Sequence, residues 1–253
     1  ARNLEVLGGL YNICPGIELQ GLLAEKQSQY RLALDHGMPM SGTAFVTCAE
    51  ELERFSVSAE YPCVLKPGHF REWERLGADH RLLNQKVSVC SSKDELLESY
   101  ASVQDVTPDV IAQEVIQGPD TNKRVYLAYY NGKSERIAHA MFRERRCVPF
   151  GFGPATVSEP VVDEEADRVC DEFLRSIKYK GICEIEVKRD TRDGKVKLIE
   201  ANPRLSGGGD AAPYAGVDLV WIHFQQMIGR ELEPVGPNGK HFKHIVLRGE
   251  GVA

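Results

Sequence analysis

The chain has 253 residues, 42% of them hydrophobic and 27% charged, with a formal net charge of -6 and a pI near 5.7. This is enough apolar material for one large domain or two smaller lobes. The acidic balance offers no basic stripe for a nucleic-acid backbone or an anionic membrane, so neither is expected as a partner.

No run approaches a membrane span in length, and the start lacks the order of a signal peptide. The seven cysteines (Cys14, Cys48, Cys63, Cys90, Cys147, Cys170, Cys183) contain no C-x-x-C pair and read as reduced core thiols of a cytoplasmic protein. The chain opens at Ala1 without an initiator Met, and the stretch to about Gly21 reads as the tail of a preceding domain or linker.

Leu22 to His36 has apolar residues at helical spacing and is stopped by Gly37-Met38-Pro39. A strand over Thr43 to Thr47, a helix over Ala49 to Phe55 and a strand over Cys63 to Lys66 follow, the last fenced by Pro62 and Pro67-Gly68. Val87 to Cys90 reads as a strand, Lys93 to Ser102 as a helix and Val110 to Ile116 as a strand closed by Gly118-Pro119. The second half reads as strands over Arg124 to Tyr130 and Glu135 to Arg143 about an Asn131-Gly132 turn. After them come a loop through Gly153, a helix over Asp163 to Ser176, strands over Ile182 to Val187 and Val196 to Ala201, and a helix over Val217 to Ile228. Hairpins of this kind predict an antiparallel sheet with helices on one face.

The most informative segment is Glu200-Ala201-Asn202-Pro203-Arg204, at the end of an apolar strand and before Leu205-Ser206-Gly207-Gly208-Gly209. Alternate residues of a strand face the same way, so Glu200, Asn202 and Arg204 can converge on one spot, and oxygen ligands of this kind suit Mg²⁺ with nucleotide phosphates. A loop Arg192-Asp193-Gly194, with Gly194 in the left-handed region, would pair Thr191 with Lys195, Glu186 with Glu200 and Glu184 with Asn202. The bare Asp193-Gly194 turn would shift that pairing by one, and the favoured register puts Leu198 on the same face as Glu200. Facing carboxylates repel unless a cation lies between them. Alternatively, Glu184, Glu186 and Lys188 form the solvated face of an edge strand.

Lys26, at a helix start, and Lys66, at a strand end, are candidate phosphate ligands. Neither lies in a P-loop, and the chain has no G-x-G-x-x-G.

Together these segments resemble the ATP-grasp superfamily of carboxylate-amine ligases from Glu25 to Ile228, in the D-aspartate-ligase-like or carbamoyl-phosphate-synthase-like branch. Glu25-Lys26 with Gly37-Met38-Pro39, and Tyr61 to Pro67, resemble the segments that carry the family's two phosphate-binding lysines. Gln113 to Asp120 resembles the linker, in which Gln113, Glu114, Val115 and Ile116 would meet adenine and Asp120 the ribose. Glu186, Glu200 and Asn202 match the metal ligands, and Arg204 matches the arginine that contacts the phosphate or acyl group.

The resemblance implies an α+β, ATP-grasp fold, two α/β lobes with the nucleotide held between two antiparallel sheets. It implies a tail over 1–21, an N-terminal lobe over 22–112, a C-terminal lobe with the Mg-ATP and substrate site over 113–240, and an extension over 241–253. It implies ATP and one or two Mg²⁺ as cofactors, with Mn²⁺ as an alternative. Its partners would be a small carboxylate and an amine of amino-acid type, and a homo-oligomer is compatible.

The chain departs from the pattern after Lys66, where Gly68 to Arg75 is bulky and charged; this is more like the branch in which a later lysine, here Lys86, recurs. Arg143, Arg145 and Arg146 either clamp a substrate carboxylate or form an exposed basic hairpin end, and Ser206 and Gly207 are further substrate candidates. The activity implied is carboxylate activation as an acyl phosphate and its capture by an amine. The alternatives are an inactive ATP-binding regulatory module and an ATP-grasp carboxylase.

Overall fold

The computed structural model describes residues 16–246 apart from Phe70, Pro149, Phe150 and Phe152. Cys14, most of the 1–21 tail, Phe70, Pro149, Phe152 and the end of the 241–253 extension therefore lie outside the described residues. Two helices open the described chain, α1 (Ile17–Ala24) and α2 (Lys26–Asp35). The single helix expected over Leu22 to His36 is broken at Glu25, whose carbonyl accepts from the Gln29 N–H at 2.8 Å and whose carboxylate lies 3.4 Å from His69. No glycine or proline marks that break.

The fold has two compact units, one holding 25–32 and 40–116, the other 1–24, 33–39 and 117–253. The smaller unit contains β1 (Thr43–Val46), α3 (Ala49–Ser58), β2 (Cys63–Pro67), β3 (Ser88–Cys90), α4 (Lys93–Ala101) and β4 (Val110–Glu114). Its strands form an antiparallel sheet in the order β1-β4-β2-β3.

Cys63, Leu65, Cys90, Val110 and Ala112 face one core with Leu52 of α3 and Leu96 and Tyr100 of α4. The alternation places Val64, Lys66, Gln113 and Thr43 on the other face. The helices start on local caps. Ser92 accepts from the Glu95 N–H at 3.2 Å, and Glu95 accepts from the Ser91 N–H at 2.7 Å.

The segment after Lys66 is a short 3-10 helix, Glu72–Arg75, followed by turns. Its bulk is structural, because Trp73 is 1% exposed and joins Leu76 and Leu82 in the core.

The larger unit contains β5 (Lys123–Tyr130), β6 (Arg136–Cys147), β7 (Ala155–Pro160), α5 (Glu164–Ser176), β8 (Gly181–Arg189), β9 (Val196–Asn202), α6 (Leu219–Met227) and β10 (His244–Ile245). The sheet order is β10-β7-β6-β5-β8-β9, antiparallel throughout. Strand β7 was not expected. The β5–β6 turn is wider than the Asn131-Gly132 reading. Asn131 Oδ1 accepts from the N–H groups of Lys133 and Glu135 at 2.9 and 3.0 Å, and Ser134 takes φ 63°.

Helix α5 covers one face of this sheet, capped by Asp163. It is fastened by Arg124 to Asp163 at 2.9 Å, Arg136 to Asp167 at 2.7 Å and Tyr130 to Asp171 at 2.5 Å. On the other face, Val125, Leu127, Tyr129 and Phe142 pack with Ala211, Ala212, Val217 and Ile222. Cys48, Cys63, Cys90, Cys147, Cys170 and Cys183 are free thiols. No helix among the described residues is long and apolar enough to cross a membrane.

Candidate functional site

The β8–β9 hairpin sets the site. Its loop is one residue longer than expected: the Asp190 N–H donates to Lys195 O at 2.9 Å and the Gly194 N–H to Asp190 O at 2.8 Å, with Gly194 at φ 73°. Arg189, Lys188 and Val187 therefore pair with Val196, Lys197 and Leu198. A register shift between Val187 and Glu186, with Ile199 as the extra residue, then restores the pairs Glu186–Glu200 and Glu184–Asn202.

The bulge also separates Leu198 from Glu200. Leu198 now lies across from Val187 on the α5 face, fully buried, while the carboxylates keep the opposite face. The one-face expectation for Leu198 is corrected by that extra residue. The edge-strand alternative fails as well, because β8 is paired on both sides, with β5 and with β9.

On this face the sheet presents polar groups in rows. Phe142, Val125, Glu186 and Glu200 form one row, and Ala140, Leu127, Glu184 and Asn202 the next. Glu184 is 3% exposed; it accepts a hydrogen bond from Ser206 Oγ and one from Asn202 Nδ2 at 3.4 Å. Arg204, exposed, reaches Asn202 Oδ1 at 3.4 Å.

Burial raises the Glu184 pKa, against the Ser206 hydrogen bond and the Arg204 charge. Burial, and then the Glu184 and Glu200 carboxylates, push Glu186 up to about 8. The Lys123 charge opposes the shift of Glu186 without outweighing it. Among the described residues no group of three or more His, Cys, Asp or Glu side chains is gathered for a metal. Two facing carboxylates and one amide oxygen are instead the sparse set that suits Mg²⁺ shared with phosphates.

The other expected residues fall as follows. In the smaller unit Lys66 is 8% exposed and donates to Gln113 Oε1 at 2.7 Å and to Tyr30 OH at 3.0 Å. Gln113 Nε2 donates onward to Thr43 at 3.0 Å. Lys26 opens α2, Lys86 is exposed ahead of β3, and Ile116 is buried. The Glu114 and Val115 N–H groups donate to Gly42 O and Pro62 O at 2.8 and 3.0 Å. The Glu114 carboxylate accepts from the Glu60 N–H at 3.0 Å.

In the larger unit Asp120 is 5% exposed and accepts from Cys147 Sγ at 2.8 Å and from the Gly151 N–H at 3.4 Å. Arg145 and Arg143 share Glu159, the former at 2.9 Å, and hold its carboxyl down to about 2. Glu159 pairs with Arg143, which pairs with Arg124, so this cluster lies on the α5 face, away from Glu186. Arg146 is exposed, as is Gly207 beside Ser206.

Sequence reasoning missed Lys123 and Glu144 and read Lys188 only as solvated. All three are buried on the same face as Glu186, with Lys123 across from Lys188 and Lys123 Nζ 3.3 Å from Glu144. Period-two alternation back from Val125 and forward from Phe142 and Glu186 was the available signal.

Residues 134–247 match the family described as "ATP-grasp in the biosynthetic pathway with Ter operon". D-aspartate ligase of Enterococcus faecium is 27% identical over 224 residues, 83% of this chain and 51% of that protein. The chain thus spans about half the length of that curated relative. Among solved structures, N5-carboxyaminoimidazole ribonucleotide synthetase of Thermus thermophilus is similar with a TM-score of 0.73 at 18% identity, over 99% of this chain and 64% of that one. The Staphylococcus aureus synthetase complexed with ADP gives 0.71 at 14%, over 92% and 58%. These likenesses show the fold, an α+β ATP-grasp fold.

Proposed function

We infer that this chain is a member of the ATP-grasp superfamily and an ADP-forming ligase that activates a carboxylate as an acyl phosphate for capture by an amine. The observation that carries this reading is the cross-strand pair Glu186–Glu200 with Asn202 one row along. The repulsion between two facing, part-buried carboxylates is what a divalent cation would relieve.

Glu186, Glu200 and Asn202 would hold Mg²⁺, or Mn²⁺ in its place, which supplies charge neutralisation at the transferred phosphoryl group. Lys66, pre-set by Gln113 and Tyr30, is proposed to hold ATP phosphates with Lys26 and Lys86. Arg204, which reaches Asn202 Oδ1 at 3.4 Å, is proposed to bind the phosphoryl or acyl oxygens as charge builds there. The substrate carboxylate attacks the γ-phosphorus, ADP departs, and the amine then displaces phosphate from the acyl carbon.

Ser206, Gly207 and Arg146 are the candidates for the acid's remote end. Arg145 is already taken by Glu159. The similarity to D-aspartate ligase supports an amino-acid-like acid.

The test is ADP release by purified protein with Mg²⁺-ATP across carboxylates with and without amines. Release that requires one acid and one amine is expected. ATP binding without release for any pair would overturn the ligase reading in favour of a binding module. Release with bicarbonate alone as the acid would favour a carboxylase.

A further inference from the structure

Glu184 is a buried carboxylate that the metal assignment leaves unused. It is 3% exposed, and its neighbour across on β5 is Leu127, which is fully buried and whose side chain offers it no polar atom. Its two oxygens are divided between β9 and the loop that follows. Oε1 accepts from Asn202 Nδ2 at 3.4 Å, and Oε2 accepts from Ser206 Oγ. The same loop passes close by again at Gly208, where a Cβ would lie 3.7 Å from Oε2.

The consequence falls on Asn202. A side-chain amide carries an acceptor oxygen and a donor NH₂ of nearly the same shape, and turning it over exchanges them. A carboxylate accepts and does not donate, so Glu184 draws the amide nitrogen to its own side and leaves the oxygen on the other. Oδ1 accordingly lies on the Arg204 side, 3.4 Å from Nη2. A hard cation takes the oxygen and not the NH₂, so the way this amide is turned decides whether Asn202 can be a ligand.

We propose that Glu184 is a positioning residue: it turns the Asn202 amide so that the oxygen is the atom presented to the metal, and Ser206 holds Glu184 in place for that task. Glu184 acts here as a hydrogen-bond acceptor, not through its charge and not as a ligand. This inference rests on the metal reading above.

The experiment titrates Mn²⁺, alone and (against an ADP blank) with ADP, onto the whole chain and its variants, and reads the free metal by electron paramagnetic resonance. Glu184→Met keeps the bulk and removes the acceptor. It is expected to weaken Mn²⁺ binding on the order of 10- to 100-fold and to leave the metal-free Tm unchanged or higher. Glu184→Gln keeps an oxygen for Asn202 Nδ2 and is expected to lose no more than a few-fold. In an Asn202→Asp background there is no amide to turn, so the effect of Glu184→Met should shrink to a few-fold there.

Glu184→Leu repeats the comparison should the Met variant fail to fold. A Gln variant as weak as the Met variant would show that Glu184 acts by its charge or as a ligand, and would overturn the proposal. Undiminished Mn²⁺ affinity in Glu184→Met, or an equal loss in the Asn202→Asp background, would overturn it as well. Absence of Mn²⁺ binding by the unaltered chain, with or without ADP, would instead overturn the metal assignment on which it rests.

Discussion

Asp190 and Glu186 lie on the same hairpin and meet opposite fates. Burial alone would raise the Asp190 pKa, but hydrogen bonds from Arg192 at 2.7 Å and Lys197 at 2.8 Å outweigh it and hold the carboxyl well below its usual range. Among the described residues no cation donates a hydrogen bond to Glu186; burial, Glu184 and Glu200 push it up to about 8 against the Lys123 charge. The carboxylate that the chain neutralises itself is structural. The one set among its own kind resists ionisation unless a cation lies beside it.

The largest effect that tests this contrast is on Asp190, which is fully buried. Asp190→Asn leaves Lys197 and Arg192 facing a neutral amide and should cost about 3–5 kcal/mol in urea unfolding. Its folded pKa is lowered, so its contribution is complete above the unfolded carboxylate range and is lost as pH falls below that range. The acid limb of the stability profile should accordingly be shallower in the variant; an unchanged limb would show that Asp190 is not the anchoring charge.

Next comes Glu200→Gln. It removes one of the two facing carboxylates and should lower ADP release on the order of 10² to 10³-fold, with a smaller change in ATP affinity. Activity that survives would refute the metal assignment. Glu186→Gln is smaller and has the opposite sign to Asp190→Asn. Without metal it relieves the repulsion across the strands and should leave the protein up to about 1 kcal/mol more stable. A loss of several kcal/mol would mean that Glu186 already has a structural partner.

The same hairpin shows how far the sequence could be read. The pairing of Glu186 with Glu200 follows from a three-residue loop closed by a left-handed Gly194, and it forms although the loop has four residues. The four-residue loop and the bulge at Ile199 were not legible, because the two deviations cancel at the site and show only in the face taken by Leu198.

Strand β7 was hidden for a different reason. Ala155-Thr156-Val157-Ser158-Glu159-Pro160 has little apolar alternation, ends in proline and, among the described residues, is paired on its outer side by the short β10 alone. The break between α1 and α2 has no local signal because Glu25 answers to His69, far along the chain. Lys188 passed for a solvated residue because a single strand does not reveal that it has neighbours on both sides.

A further effect of similar size concerns Lys66, a buried lysine that stands between these extremes. It has acceptors, Tyr30 OH at 3.0 Å and Gln113 Oε1 at 2.7 Å, and its ammonium sits 5.1 Å from the Tyr30 ring centroid. The hydroxyl and the amide are neutral groups that orient the ammonium. Tyr30→Phe keeps the ring and removes the hydroxyl, and should cost about 0.5–1.5 kcal/mol of stability. The weaker positioning should also raise the apparent Kd for Mg²⁺-ATP several-fold. A stability loss as large as that of Asp190→Asn would place Lys66 with the chain's internal charges, and its ammonium would then not be free to turn to a phosphate.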